Sequence, residues 1–191
     1  MIFLISLIII IGIHELAHLI AAKLCKCGVD TYSIGFGKPI IKKMFRGTEY
    51  RLSWLLLGGY CKLKGELIES QDKNAFVNLS YGRKFIIAIA GCAINMIAGI
   101  LCYFVGLHLH SYYLYYFGYL SFMLGATNWF IPVPCLDGGY VFWYPILTKI
   151  YGQKKGIEKF AKAVNISFKI VMVLNILCLP YLIILIRQGA L

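Results

Sequence analysis

Long apolar stretches alternate along the chain with basic, polar segments. Four are long enough to cross a bilayer, for which about 20 residues suffice: residues 1–24, 85–107, 119–147 and 166–186. No basic residue precedes the first and no small-residue cleavage site follows it, so it reads as a retained helix, not a signal peptide. The third carries Pro132 and Pro134, followed by Gly138-Gly139, which predicts a helix broken at membrane depth. Between the first two stretches the period changes. Tyr32, Ile34 and Phe36 alternate with Ser33 and Gly35, and a second alternation runs from Thr48 to Trp54 beyond a basic connection. Period-two patterning predicts a β-hairpin over about residues 31–64, against the plainer alternative of an irregular cytoplasmic loop. Leu55-Leu56-Leu57 makes its far end apolar enough to dip into a membrane surface, and the polar run from Glu66 to Asn78 reads as a linker. The expected fold is therefore an all-α membrane protein of about four transmembrane helices. The third span is broken, a small membrane-associated β-hairpin lies between spans one and two, and the whole forms one domain over residues 1–191.

Composition supports that picture. Of 191 residues, 60% are hydrophobic and 14% charged, and the mean hydropathy is +0.76, whereas soluble domains are roughly 45–50% apolar. Disorder is excluded by this. A formal charge of +11 would suggest nucleic-acid binding in a soluble chain, but the basic residues lie between the apolar stretches. Twelve of the 19 Lys and Arg fall from Lys23 to Lys84 and six from Lys149 to Lys169, while His108 to Gly118 has none. With four spans both basic segments share one side. The positive-inside bias puts that side in the cytoplasm and both termini outside, and no nucleic-acid partner is expected. Seven scattered cysteines indicate no disulfide scaffold, and Cys25-x-Cys27 lacks the second pair of a zinc motif.

Polar residues inside the apolar stretches carry the candidate chemistry. The first span contains His14-Glu15-Leu16-Ala17-His18, and positions i and i+4 of a helix lie on one face, where two imidazoles can share one metal ion. This geometry suits zinc, whose catalytic sites use three protein ligands and keep a fourth place for water. Glu15 would lie beside that water as general base. Ionisable groups in a membrane helix cost about 2.5–3.5 kcal/mol each on insertion scales, so chance retention of three within five positions is disfavoured. The alternative is a polar seam between helices. A third ligand is needed, and Asp137 lies just after the proline break; its competing role is as N-cap of the helix beginning at Gly138. In span two, Gly91, Asn95 and Gly99 form a small-residue face on which the Asn95 amide could hold a substrate backbone or bond a neighbouring helix. His108 and His110 read as interfacial residues beside a tyrosine-rich belt, Tyr112–Tyr119.

Taken together, HELAH at 14–18, Gly91 and Asn95, and Asn128 followed by Pro132-Val133-Pro134-Cys135-Leu136-Asp137-Gly138-Gly139 resemble the site-2 protease family of intramembrane zinc metalloproteases. The resemblance implies His14, His18 and Asp137 as Zn2+ ligands, Glu15 as the catalytic base, and Asn95 and Asn128 as contacts to substrate. Gly35-Phe36-Gly37 and Leu57-Gly58-Gly59-Tyr60-Cys61-Lys62 are similar to the membrane-dipping hairpin of bacterial members that cleave anti-sigma factors. No PDZ domain lies between spans two and three and no CBS domain follows span four, so the resemblance is to a minimal form. Cys92 stands where the family often has proline. The expected protein is a multi-pass enzyme of a bacterial cytoplasmic membrane, its active site toward the cytoplasm and its substrate a transmembrane protein. The rivals are a non-catalytic membrane adaptor that keeps the fold, and a small metal carrier.

Overall fold

A computed structural model describes residues 2–187, so Met1 and residues 188–191 of the expected domain lie outside the described residues. Helix α1 spans Ile2–Leu24, strands β1 and β2 span Val29–Phe45 and Thr48–Leu63, and four helices follow: α2 Tyr81–His108, α3 Tyr112–Phe130, α4 Asp137–Tyr151 and α5 Gln153–Arg187. Among the described residues two helical stretches, Leu4–Leu24 and Tyr81–His108, are long and apolar enough to cross a membrane.

Helix α1 ends in a Schellman turn. Lys26 takes the left-handed conformation at φ 60°, its N–H bonds the Lys23 carbonyl at 3.1 Å, and the Cys27 N–H reaches the Ala22 carbonyl at 2.8 Å. The chain then enters the sheet. Strands β1 and β2 form an antiparallel hairpin closed by Arg46-Gly47, both at positive φ as a two-residue type I′ turn requires. Farther from the turn, Thr31 to Ile34 pair with Lys62 to Gly59 on one side and with Glu49 to Leu52 on the other. That doubling makes Thr31 to Ile34 an inner row. Along that row Thr31 and Ser33 are buried, whereas Tyr32 and Ile34 are only half-buried. The buried hydroxyls are satisfied locally. Ser33 Oγ donates to the Gly35 carbonyl at 2.9 Å and lies 3.3 Å from Ser53 Oγ. From Gly37 to Phe45 β1 is exposed or half-exposed on both faces, so the hairpin projects beyond the core.

Helices α2 and α3 are joined by only Leu109 to Ser111, with Ser111 Oγ accepting the Leu114 N–H at 3.5 Å as an N-cap. Residues 112–118, expected in a connection, are therefore helical. Its helix packs backbone to backbone on α2. A Cβ at Gly118 would stand 2.3 Å from the Tyr103 nitrogen, and one at Gly99 would stand 2.6 Å from the Phe122 nitrogen. The expected third span, 119–147, is two helices, α3 and α4, separated by residues 131–136 around the prolines. The fourth, 166–186, lies within the longer α5. Gly152, at φ 78°, ends α4 and lets α5 begin at Gln153, where Ile157 and Phe160 turn one face into the core. That core joins the end of α1 to the base of the sheet, α2 and α4 through Ala22, Val29, Phe76, Ile87 and Tyr140.

Gly118→Ala should force α2 and α3 apart and cost about 1–3 kcal/mol, as overpacking does. A thermal melt in detergent checks it. An unchanged midpoint would show that the close approach is not needed.

Candidate metal centre

His14 and His18 lie one helical turn apart in the second half of α1, and their imidazoles meet edge to face with ring centroids 4.8 Å apart. The two Nε2 atoms are 3.1 Å apart. Asp137, the first residue of α4, brings its Oδ2 to 3.0 Å from His14 Nε2 and 3.3 Å from His18 Nε2. Both rings are buried. The carboxylate gets there because the chain breaks. After α3, the Val133 N–H bonds the Ile131 carbonyl and the Leu136 N–H bonds the Val133 carbonyl, both at 2.9 Å, which folds the proline segment tightly before α4 starts. Gly138 and Gly139 allow that fold, since a Cβ on either would stand 1.9 Å from the Trp129 or Val133 carbonyl oxygen. The alternative sequence role for Asp137, N-cap, is taken by Leu136, and no side-chain cap bond is formed there. The acid is directed at the imidazoles.

The donor set suits a metal ion. The three candidate ligand atoms lie within 4.8 Å of one another, a grouping that could hold an ion. Tetrahedral zinc ligands at about 2.0–2.2 Å from the ion stand roughly 3.3–3.5 Å from each other. Of the observed separations, 3.3 Å falls in that range and 3.0 and 3.1 Å are slightly tighter. Two imidazoles and a carboxylate are also a catalytic type of zinc donor set, which leaves a position for water.

A second layer holds these groups in place. His18 Nδ1 donates to the Ile87 carbonyl at 2.7 Å, which in the neutral ring fixes the tautomer with its lone pair on Nε2. Asn95 and Asn128 both place Nδ2 on His14, at 3.2 Å from Nδ1 and 3.3 Å from Nε2. Asn95 is fully buried. Cys92 Sγ donates to Asp137 Oδ2 at 3.2 Å. Gly91 gives the rings room, because a Cβ there would lie 2.3 Å from His18 Nε2 and 2.8 Å from His14 Nε2.

Glu15, His18 and Asp137 line one cavity of about 320 Å³, together with Gly59 to Leu63 of β2, Pro134 to Leu136 and part of α5. Gly59 lets β2 come so close that a Cβ there would stand 3.0 Å from Glu15 Cγ. Sequence patterning left two neighbours out of the site. Glu66, read as linker, also lines this cavity; its Oε2 accepts the Leu63 N–H at 3.4 Å, and burial holds its carboxyl up to about 7. Cys92 showed only as a departure from proline, with no spacing to tie it to Asp137.

Residues 2–112 match the sequence profile described as peptidase family M50. A Campylobacter jejuni protein whose name describes a presumed zinc metalloprotease is 43% identical over 101 residues, covering 50% of this chain and 27% of that protein. The regulator of sigma E protease of Haemophilus influenzae is 36% identical over 108 residues, 54% of this chain and 24% of its own length. The regulator of sigma-E protease RseP of Salmonella typhimurium gives the same identity and coverage. The matched stretch is thus about a quarter of each of these relatives.

Gly91→Ala should weaken zinc uptake by at least about 10-fold by displacing both imidazoles. Gly82→Ala on the same helix, where an added Cβ meets nothing within 4 Å, should leave it unchanged and stabilise the helix by about 0.5–1 kcal/mol. Chelator competition and melting measurements check the pair. Equal zinc affinity in both variants would contradict the close fit at Gly91. Glu66 adds a pH dependence. Burial pushes its folded carboxyl up to about 7, above the ordinary carboxylate range, so its contribution to stability is full below the unfolded value and is lost as pH rises through about 7. In metal-free protein, Glu66→Gln should flatten that decline; an unchanged slope between pH 5 and 8 would contradict it.

Proposed function

The chain belongs to peptidase family M50, the site-2 protease family, and from that membership together with the centre's geometry we propose that it is an intramembrane zinc metallopeptidase. Its substrate would be a membrane protein, cleaved in or near a transmembrane segment, in the class of signalling or transcription regulators. One observation carries this: His14, His18 and Asp137 converge on a single point, and Glu15 faces the same cavity. His14, His18 and Asp137 are the proposed metal ligands. Bound there, zinc would polarise the scissile carbonyl and acidify its water to a pKa of about 7.

The chain's own groups supply the rest. Glu15 takes the proton from the attacking water and returns it to the leaving amine nitrogen. A substrate helix hides its carbonyls in i to i−4 bonds, so it must unwind before it is cut. The Gly59 to Leu63 row of β2 lies along the cavity and offers an edge for an extended segment by strand addition. Asn128, half-buried at the end of α3 with its Nδ2 3.3 Å from His14 Nε2, is the proposed side-chain contact to that segment.

The proposal also covers the setting. The two apolar helices, with α3 and α5, give a four-span, multi-pass protein of a bacterial cytoplasmic membrane. The basic segments face the cytoplasm by the positive-inside bias, with the active site toward that side. The exposed end of the hairpin rests on the bilayer surface.

Glu15→Gln should lower cleavage of a co-expressed single-span membrane protein by about 10²–10⁴-fold while the purified variant keeps its zinc. His14→Ala and Asp137→Ala should lose both. Cleavage that persists in the Glu15 variant, assayed by fragment formation, would contradict the assigned base.

A further inference from the structure

Each of the paired imidazoles turns Nε2 toward Asp137 and Nδ1 toward α2. For His18 the Nδ1 partner is the Ile87 carbonyl, which can only accept, so Nδ1 carries a proton and, in the neutral ring, Nε2 holds the lone pair. For His14 the partner is the side-chain amide of Asn95, 3.2 Å away. Asn95 has no exposed surface, and its Oδ1 has no hydrogen-bond partner among the described residues. The oxygen and nitrogen of an amide exchange places by a half turn, and their assignment follows from the bonds each makes.

The two orientations differ in consequence. With NH2 toward the ring, Nδ1 must accept, the ring proton sits on Nε2, and no lone pair faces His18 and Asp137. With the oxygen toward the ring, Nδ1–H donates to it and the NH2 group takes the oxygen's former place, so the position without a partner is the same in both orientations. His14 then matches His18, both rings being held from the same helix by an acceptor on Nδ1. We propose that Asn95 is a positioning residue whose side-chain oxygen accepts the Nδ1 proton of His14, fixing the tautomer that presents an unprotonated Nε2 beside His18 and Asp137. This rests on the zinc-site reading above and deepens it. Asn95 thereby acts on a candidate ligand and not on substrate, one of the two roles its sequence position left open.

The test is zinc affinity of the full chain in detergent, by chelator competition, with circular dichroism as the folding control. Asn95→Leu and Asn95→Ala remove the acceptor and should weaken zinc about 10–100-fold, the usual effect of losing an outer-shell partner. Asn95→Asp keeps an acceptor and should bind zinc at least as tightly as wild type. Leu and Ala variants that bind as tightly as wild type, or more tightly, would overturn the inference, because the amide would then have been a donor or irrelevant. An Asp variant weakened as much as the Leu variant would overturn it too, since packing alone would account for both. If the Leu and Ala variants do not fold, a weakened, folded Asp variant still overturns the inference, and one that binds like wild type upholds it. The zinc-site reading fails separately: wild type taking up no more zinc than His14→Ala would sink that reading, whatever Asn95 does.

Discussion

One oxygen atom organises this molecule. Asp137 Oδ2 lies within 3.3 Å of both imidazole nitrogens and of the Cys92 thiol, although 123 residues separate His14 from Asp137. A carboxylate and two imidazoles are costly to place in an apolar bundle one at a time, and become tolerable only when they meet. The segments that deliver them must therefore be held to within a few tenths of an ångström. The proline break, the turn before α4 and the packing of α1 on α2 all serve that requirement.

Small residues are the means. Gly138 and Gly139 let the interrupted chain double back against its own carbonyls, Gly91 leaves room for the imidazoles, and Gly59 lets a strand lie on Glu15. Gly99 and Gly118 bring α2 and α3 into backbone contact, and Ser121 Oγ donates to the Asn95 carbonyl at 2.9 Å across that same seam. The face of α2 that touches the site is thus tied to α3 behind it. Close packing of this kind transmits position well, because a packed interior yields little.

Much of this was legible in the amino-acid sequence, and the reasons are local. His14 and His18 are joined by helical spacing, Pro132 and Pro134 announce a break, and the alternation from Tyr32 to Phe36 falls in a strand. The features that were not legible depend on contacts between distant segments. Which face of that strand is buried depends on how the sheet packs on the rest of the chain, and Thr31 and Ser33 are the buried positions, not Tyr32 and Ile34. Glu66 looks like any linker acid until the sheet carries it to the cavity wall. The 112–119 tyrosines suit an interfacial belt as well as a helix, and only the Ser111 cap and the glycine contacts decide between them. Asn95 was visible as an amide in need of a partner, but nothing in its spacing could name His14.

The claim beneath all of this is that His14, His18 and Asp137 bind one zinc ion. X-ray absorption at the zinc edge of the loaded full chain addresses it directly, because ligand type is read from bond length. The account predicts a shell of nitrogen and oxygen only, at about 2.0–2.2 Å, with the outer scattering of two imidazoles. A sulfur shell at about 2.3 Å, or a spectrum unchanged by His14→Ala and Asp137→Ala, would contradict it.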